Sequence, residues 1–567
     1  MNTEVYGPQV PECDATHAEK HRMPNESFTE SVDRNVAAMA DDETHRKILK
    51  PIFLGQRYLA AGRIQAAMGS TRNVTAFNCF VSAVIEDSME SIMQRLAEAA
   101  ETMRRGGGIG YDFSRIRPRR DRIVSLDSSA SGPVSFMGLY DALCSTIMSA
   151  GHRRGAMMSV LRIDHPDIEE FIRAKRNEGS LTNFNISVGV TDEFMQAVAK
   201  DDTFDLRFDG RVYRTIAART LWDEIMRSTW DWAEPGILFL DRINSDNPLY
   251  YCETIEATNP CGEQPLPPYG ACLLGSFNLV KYVHNGKFNF DFLKYDIPHV
   301  VRAMDNVIDR TNYPLAEQEL EAKTKRRMGI GFTGLANSLT LCDIRYGDDQ
   351  AIRFTRKLTK TLCLSAYEAS SDIAAEKGTF PAYDKDKYMA NEFIQKFPDD
   401  LKEKIGTQGM RNSHMISIAP TGSISYGADN ISSGMEPVFA HETVRTKLTE
   451  YGSVNVTLKD YVYNYHGIKA ETTADLTVDD HLNMQIAVQP WVDSAVSKTI
   501  NVSDDVTFDD FKDVYMKAWK GKLKGVTTFR AAGKRYGILN VAPTEEVVPV
   551  EGAACFFDPE TGNKECS

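Results

Sequence analysis

From residue 50 to about residue 530, short β-rich runs alternate with amphipathic stretches, and no Gly/Ser/Pro-rich linker divides them. Such alternation argues for parallel strands joined by crossover helices. It favours one large α/β domain over the roughly four domains that chain length alone would allow. Ile186-Ser187-Val188-Gly189-Val190 and Arg327-Met328-Gly329-Ile330-Gly331-Phe332 read as strands, and Asp192 to Ala199 and Ala351 to Ala375 as helices. Residues 30 to 105 read mainly as helices, with Ser88 capping the apolar-periodic run that ends at Leu96. Residues 1 to about 30 are polar and carry Pro8, Pro11 and Pro24, which suggests a loosely ordered arm. Periodicity leaves the strand count open.

Composition excludes several classes of function. A formal charge of -14 disfavours general affinity for nucleic acid, although local basic pockets can still hold phosphates. No run of about eighteen apolar residues suggests a membrane span. The start, Met1-Asn2-Thr3-Glu4, lacks the basic and apolar regions of a secretory signal. The 10 cysteines are irregularly spaced in a chain with ample core, which points to a reducing cytoplasm rather than a disulfide scaffold. No Cys-x2-Cys pair or His/Cys cluster at zinc spacing supports a metal site.

The chemistry concentrates in Asn259-Pro260-Cys261-Gly262-Glu263-Gln264-Pro265. In an extended segment Asn259, Cys261 and Glu263 would face one way, gathering an amide, a sulfur and a base. Pro260 and Gly262 mark a strand tip or finger loop rather than a paired central strand. Cys272 follows shortly after, and Cys79 stands in Phe77-Asn78-Cys79-Phe80. Any one cysteine is most often a small buried hydrophobe, which does not explain one bracketed by Asn and Glu.

These residues resemble the catalytic large chain of ribonucleotide reductases. So do Arg104 to Gly110, His152 to Ala156, Thr182 to Val188, Ala419 to Ser425 and Ser497 to Asn501, in the family's order. The resemblance spans roughly residues 50 to 540. It implies a ten-stranded α/β barrel with the cysteine finger through its centre. The expected division is an N-terminal arm and helical region at 1–75, the barrel at 76–540 and a flexible redox tail at 541–567. The N-terminal ATP-binding regulatory domain of many relatives is not expected.

The resemblance implies a role for each site residue. Cys261 carries a thiyl radical, Glu263 takes the 3′-hydroxyl proton, and Asn259 holds the ribose. Cys79 and Cys272 supply two electrons and a proton, and Asn78 binds substrate. Cys555 and Cys566, more widely separated than the family's usual pair, would re-reduce them by thiol–disulfide exchange with a thioredoxin- or glutaredoxin-type reductant. Pro420, Thr421, Gly422, Ser423, Ile424 and Ser425 look like the phosphate cradle, offering N–H groups and hydroxyls. Lys175, Arg176 and Asn177 lie in the loop that links dNTP or ATP effectors to substrate choice. A homodimer is compatible with the family.

The family's branches differ in how the finger cysteine is oxidised. Lys524-Gly525-Val526-Thr527-Thr528-Phe529-Arg530 lacks the adjacent tyrosines that relay a radical from a metal-containing small subunit. It resembles the adenosylcobalamin-dependent branch (class II). The alternatives are a class I-type large subunit fed by such a partner, and an inactive nucleotide-binding regulatory relative. The second would be favoured by loss of Cys261, Glu263 or a redox cysteine, and all are present. Tyr250 and Tyr251 are adjacent but precede the finger and are expected to pack.

Overall fold

The computed structural model describes residues 6–147, 156–177, 179–449, 452–530, 533, 540–541, 555–557 and 564–566. For Cys272, for 445–449 and 452–454, and for the segments from 540 onward, only the backbone is described. The blocks 152–155 and 534–537 lie outside the described residues.

The residues read as a loose arm form a helix, Pro11–His21, with Pro11 at its first position and Glu12 and Asp14 in its first turn. Its buried face consists of Cys13, Thr16, His17 and His21. Few of these are aliphatic, which is why the stretch reads as polar. Two further helices follow: Phe28–Met39 opens on a capping box between Ser27 and Glu30, and Glu43–Leu54 is capped by Asp42.

The main sheet has eight strands in the order Ala271–Cys272, Cys79–Val81, Gly108–Asp112, Met157–Arg162, Phe184–Val190, Gly236–Phe239, Gly525–Arg530 and Thr499–Val502. The run from Cys79–Val81 to Gly236–Phe239 is parallel throughout. Pairing turns antiparallel where Ala271–Cys272 meets Cys79–Val81 and where Gly236–Phe239 meets Gly525–Arg530. The inner strands are buried on both faces, as parallel strands covered by crossover helices must be. Among those helices are Met89–Arg104, capped by Ser88 as expected, and Asp192–Lys200, capped by Thr191.

A three-stranded sheet orders Tyr58–Ala60, Leu274–Asn278 and Gly329–Thr333. Parallel bridges continue from it, Ile330 to Ile416 and Ile418 to Val496. The long helix Asp349–Lys377 packs on Phe290–Arg310 and buries Leu358, Leu362, Cys363 and Tyr367. The strand and helix expectations at 186–190, 327–332, 192–199 and 351–375 therefore hold to within a few residues. No helix among the described residues is long and apolar enough to cross a membrane.

Residues Met1–His441 with Asp460–Tyr536 form one compact unit, and Glu442–Lys459 with Gly537–Ser567 a second. The second holds a hairpin of Glu442–Thr449 and Gly452–Lys459, and a short antiparallel ladder in which Cys555 is the Cα partner of Cys566.

Burial lowers His17 to a pKa of about 4, with Arg22 adding to the effect, and lowers His21 to about 3, with His17 adding. Both folded values lie below the ordinary value, so the fold holds neutral rings that the unfolded chain protonates first. Their contribution is complete above about pH 6.5 and is lost as pH falls toward 4. Hydrogen exchange corrected for intrinsic rates should show the Pro11–His21 amides losing protection between pH 7.5 and pH 5. Equal or greater protection at pH 5 would contradict this.

Candidate active site

The finger is a hairpin of Ala257–Thr258 and Pro265–Leu266 whose tip is a turn rather than an extended strand. The Gly262 N–H donates to the Asn259 carbonyl at 3.0 Å, placing Pro260 and Cys261 at the turn's centre, and Gly262 has φ of 80°. The expectation that Asn259, Cys261 and Glu263 share one face of a strand is thereby corrected. Asn259 is fully buried, its Oδ1 accepting the Gln264 N–H at 3.0 Å, and its Nδ2 has no hydrogen-bond partner among the described residues. Cys261 is exposed and Glu263 is buried, and both line one cavity that Asn259 does not reach.

Missing side chains make room for this tip. A Cβ built on Gly110 would lie 1.8 Å from the Thr258 carbonyl oxygen, and one on Gly329 2.3 Å from Gln264 Nε2. The Pro260 carbonyl accepts from Asn185 Nδ2 at 2.9 Å, and the Glu263 carbonyl from Ser417 Oγ at 2.9 Å and the Ala495 N–H at 3.0 Å.

Behind Ala495 lies a fully buried ionic centre. The Asp493 carboxylate accepts the N–H groups of Met415 at 2.6 Å and Ile416 at 2.9 Å, and the Tyr367 hydroxyl at 2.7 Å. Lys524 Nζ donates to the carbonyls of Val492 at 3.1 Å, Asp493 at 2.7 Å and Ser494 at 2.7 Å, and lies 3.5 Å from Asp246. Burial lowers the Lys524 pKa and raises that of Asp493, and the neighbouring opposite charges work against both shifts.

The cavity has a volume of about 870 Å³ and is lined by Cys261, Glu263, Asn78, Cys79 and Pro420–Ile424, among others. Asn78 Oδ1 is buried without a hydrogen-bond partner among the described residues. Cys79 and Cys272 are Cα partners across an antiparallel ladder. Directly opposed residues in such ladders stand about 4.5–5.5 Å apart, inside the range a disulfide spans.

In the expected cradle, Thr421 has φ of 53°, a conformation that a β-branched residue adopts only under constraint. Its Oγ1 lies 2.8 Å from Thr333 Oγ1 and accepts the Gly434 N–H at 2.7 Å. Ser425 Oγ is engaged with Ser433 Oγ at 3.0 Å and lies off the cavity wall.

Lys175 forms a buried ion pair with Glu234 at 2.7 Å, and Arg176 lies 3.8 Å from Glu224, so only Asn177 of this trio stands fully on the surface. Thr527 points outward and Thr528 inward on the Gly525–Arg530 strand, where Thr528 Oγ1 meets the Tyr515 hydroxyl at 2.8 Å. Tyr251 packs and donates to the Ala382 carbonyl at 2.9 Å. Sequence reasoning missed Asp493 and Lys524, because Lys524 stands in the polar-looking run Lys520-Gly521-Lys522-Leu523-Lys524. It also missed Glu19, Lys20, His21, Arg63 and Arg72 on the cavity wall, for which the sequence held no signal.

Substituting Lys524→Met should cost about 3–5 kcal/mol, the scale for orphaning a buried charge partner. Lys522→Met, at an exposed position, should stay within about 0.5 kcal/mol. Denaturant midpoints measure both, and equal effects would contradict the clamp.

The family model "Ribonucleotide reductase, barrel domain" matches residues 77–529. A vitamin B12-dependent ribonucleoside-diphosphate reductase of Mycobacterium tuberculosis is 38% identical over 494 residues, covering 82% of this chain and 67% of that protein. One from Thermoplasma acidophilum is 37% identical over 504 residues, covering 83% and 63%. A vitamin B12-dependent ribonucleotide reductase of Streptomyces avermitilis is 28% identical over 583 residues, covering 87% and 60%. The chain thus spans about two thirds of the length of such relatives. With the finger, the facing cysteines and the match across the barrel region taken together, the chain belongs to the ribonucleotide reductase large-chain family.

Proposed function

We propose that the chain reduces ribonucleotides to 2′-deoxyribonucleotides by thiyl-radical chemistry, with adenosylcobalamin as its radical source. The observation that carries this reading is one cavity shared by the Cys261 thiol, the Glu263 side chain and Cys79, whose Cα partner is Cys272. The names of the B12-dependent relatives support the cofactor. So does a strand at 525–530 without adjacent tyrosines.

The cavity lies at the large end of ordinary ligand sites, roughly 300–1,000 Å³, so it has room beside a nucleotide for an adenosyl group reaching exposed Cys261. When bound, that group supplies the one-electron oxidation that removes the Cys261 hydrogen atom. The Cys261 thiyl then takes the hydrogen atom from C3′ of the ribose. Glu263 takes the 3′-hydroxyl proton, acting as a positioned base. The 2′-hydroxyl leaves as water with a proton from the Cys79–Cys272 pair. That pair closes a disulfide, its two electrons and its second hydrogen going to C2′, while Glu263 returns the proton to the 3′-oxygen and Cys261 returns its hydrogen atom to C3′. Asn259 shapes the finger through Gln264 and turns toward the ribose when substrate is present. The Pro420–Ser425 segment holds the phosphates, and Asn78 offers its buried oxygen to substrate.

The same reading extends to the architecture. We infer a closed ten-stranded barrel in which 415–418 and 494–497 act as strands. The bridges Ile330–Ile416 and Ile418–Val496 support closure, as does the continuity of Ala271–Cys272 with Leu274–Asn278. In the tail, the Cys555–Cys566 register supports a dithiol that passes electrons inward from a thioredoxin- or glutaredoxin-type protein. Lys175, Arg176 and Asn177 belong to the loop that couples effector dNTP or ATP to substrate choice. The Pro133–Thr146 helix suits a homodimer, with Leu139 41% exposed beside Gly138, where a Cβ would meet nothing within 4 Å. We place the enzyme in a reducing cytoplasm.

Under anaerobic conditions with dithiothreitol, effector and adenosylcobalamin, the chain alone should form deoxyribonucleotides, and Cys261→Ser should abolish turnover while leaving nucleotide affinity within about twofold. Activity only with a metal-containing small subunit would refute the cofactor assignment, and turnover by Cys261→Ser would refute the radical carrier. Cys79→Ser or Cys272→Ser should stop multiple turnover with every reductant. Changing Cys555 and Cys566 should stop it with protein reductants only. Equal loss with both kinds of reductant would remove the tail from the account.

A further inference from the structure

The Pro420–Ile424 cradle carries no charge of its own. Its helix, Gly422–Tyr426, has 5 residues, too few aligned peptides to sum to much of a macrodipole. Thr421 Oγ1 is already occupied by Thr333 and the Gly434 N–H, and Ser425 Oγ by Ser433. A nucleotide polyphosphate entering this cradle would keep most of its negative charge uncompensated.

Cations stand elsewhere on the same cavity wall. Lys20, Arg63 and Arg72 line it together with the carboxylate-bearing Glu19. The Arg63 guanidinium lies over Gly106, where a built Cβ would come within 2.3 Å of it, so that glycine seats the cation. Arg72 is half-buried and donates to the Arg22 carbonyl at 2.8 Å. It makes no ion pair within 4 Å among the described residues. Glu26, the carboxylate that feels its charge, is already paired with Arg34 at 2.7 Å. A half-buried guanidinium without a counter-ion is unfavourable, and an arriving anion relieves that cost.

The wall is also fixed relative to the cradle. The N–H groups of Gln9 and Val10 donate to Asp429 Oδ1 at 2.8 and 3.0 Å, and Gln56 Nε2 donates to the Gly427 carbonyl at 3.0 Å. Both acceptors lie just past the cradle helix, so the N-terminal helices and the cradle form one assembly. We propose that Lys20, Arg63 and Arg72 form an anion subsite for the phosphate tail of the nucleotide. The N-terminal helical region thereby becomes a specificity element of the cavity. This rests on the reading of the cavity as a ribonucleotide site, and local positive charge in a chain of net charge -14 concentrates an anionic ligand there.

Equilibrium binding of cytidine, CMP, CDP and CTP to the full chain, without adenosylcobalamin so that nothing turns over, tests the subsite. Arg72→Gln should weaken CDP and CTP by about tenfold and leave cytidine unchanged. Lys20→Gln, at an exposed position that cannot compromise folding, should weaken the same ligands about twofold to threefold, with the loss fading at high salt. Undiminished CDP and CTP binding in both variants overturns the proposal. So does a loss as large for cytidine as for CTP. A wild-type chain that binds no nucleotide overturns the reductase reading itself, whereas wild-type binding untouched by the substitutions overturns the subsite alone.

Discussion

The site depends on two neighbouring buried charges, the Asp493 carboxylate and the Lys524 ammonium, whose ion-pair partner is Asp246. One carboxylate gathers N–H groups from 415–416, while one ammonium gathers three consecutive carbonyls at 492–494. Between them, two chain segments with little regular pairing of their own are held in register. Both segments then reach the finger, through Ser417 Oγ and the Ala495 N–H on the Glu263 carbonyl. Buried charges are weak evidence for net stability, because desolvation offsets much of the attraction they gain. Their value here is placement. A reacting carboxylate displaced by about 1 Å can lose on the order of a hundredfold in rate.

The finger imposes a second constraint on the surrounding strands. Gly110 and Gly329 must lack side chains because the finger's backbone and Gln264 occupy that space. The strands that would ordinarily fill a barrel with branched side chains here leave a slot, and the slot admits a turn presenting Cys261. Glu263 and Cys79 then reach the same cavity from the finger's far limb and from the first parallel strand. The chemistry thus assembles from residues almost two hundred positions apart because one sheet edge and one hairpin share a wall.

Much of this was legible locally. The cap at Ser88, the helix around 192–199 and the buried runs at 186–190 follow from propensity and period, which depend on near neighbours. The Asn259–Pro265 segment stood out by its residues, a thiol bracketed by an amide and a carboxylate. Its conformation was not legible in the same way: alternation assumes a strand, whereas Pro260 and Gly262 close a turn that buries Asn259 and exposes Cys261. The Pro11–His21 helix was missed because its buried face relies on His17 and His21, neutral rings that read as polar in a sequence. The Asp493–Lys524 clamp is separated by thirty-one positions and the cationic wall by more than fifty. No local period encodes either.

The central claim is that Cys261 carries the radical in a cavity built for it. The most direct measurement is paramagnetic resonance on the chain mixed anaerobically with adenosylcobalamin, effector and substrate and quenched within milliseconds. A sulfur-centred signal should appear, narrow when cysteine is deuterated at its β-carbon, and vanish in Cys261→Ser. A signal insensitive to cysteine deuteration, or one that survives the Cys261→Ser substitution, would contradict the account.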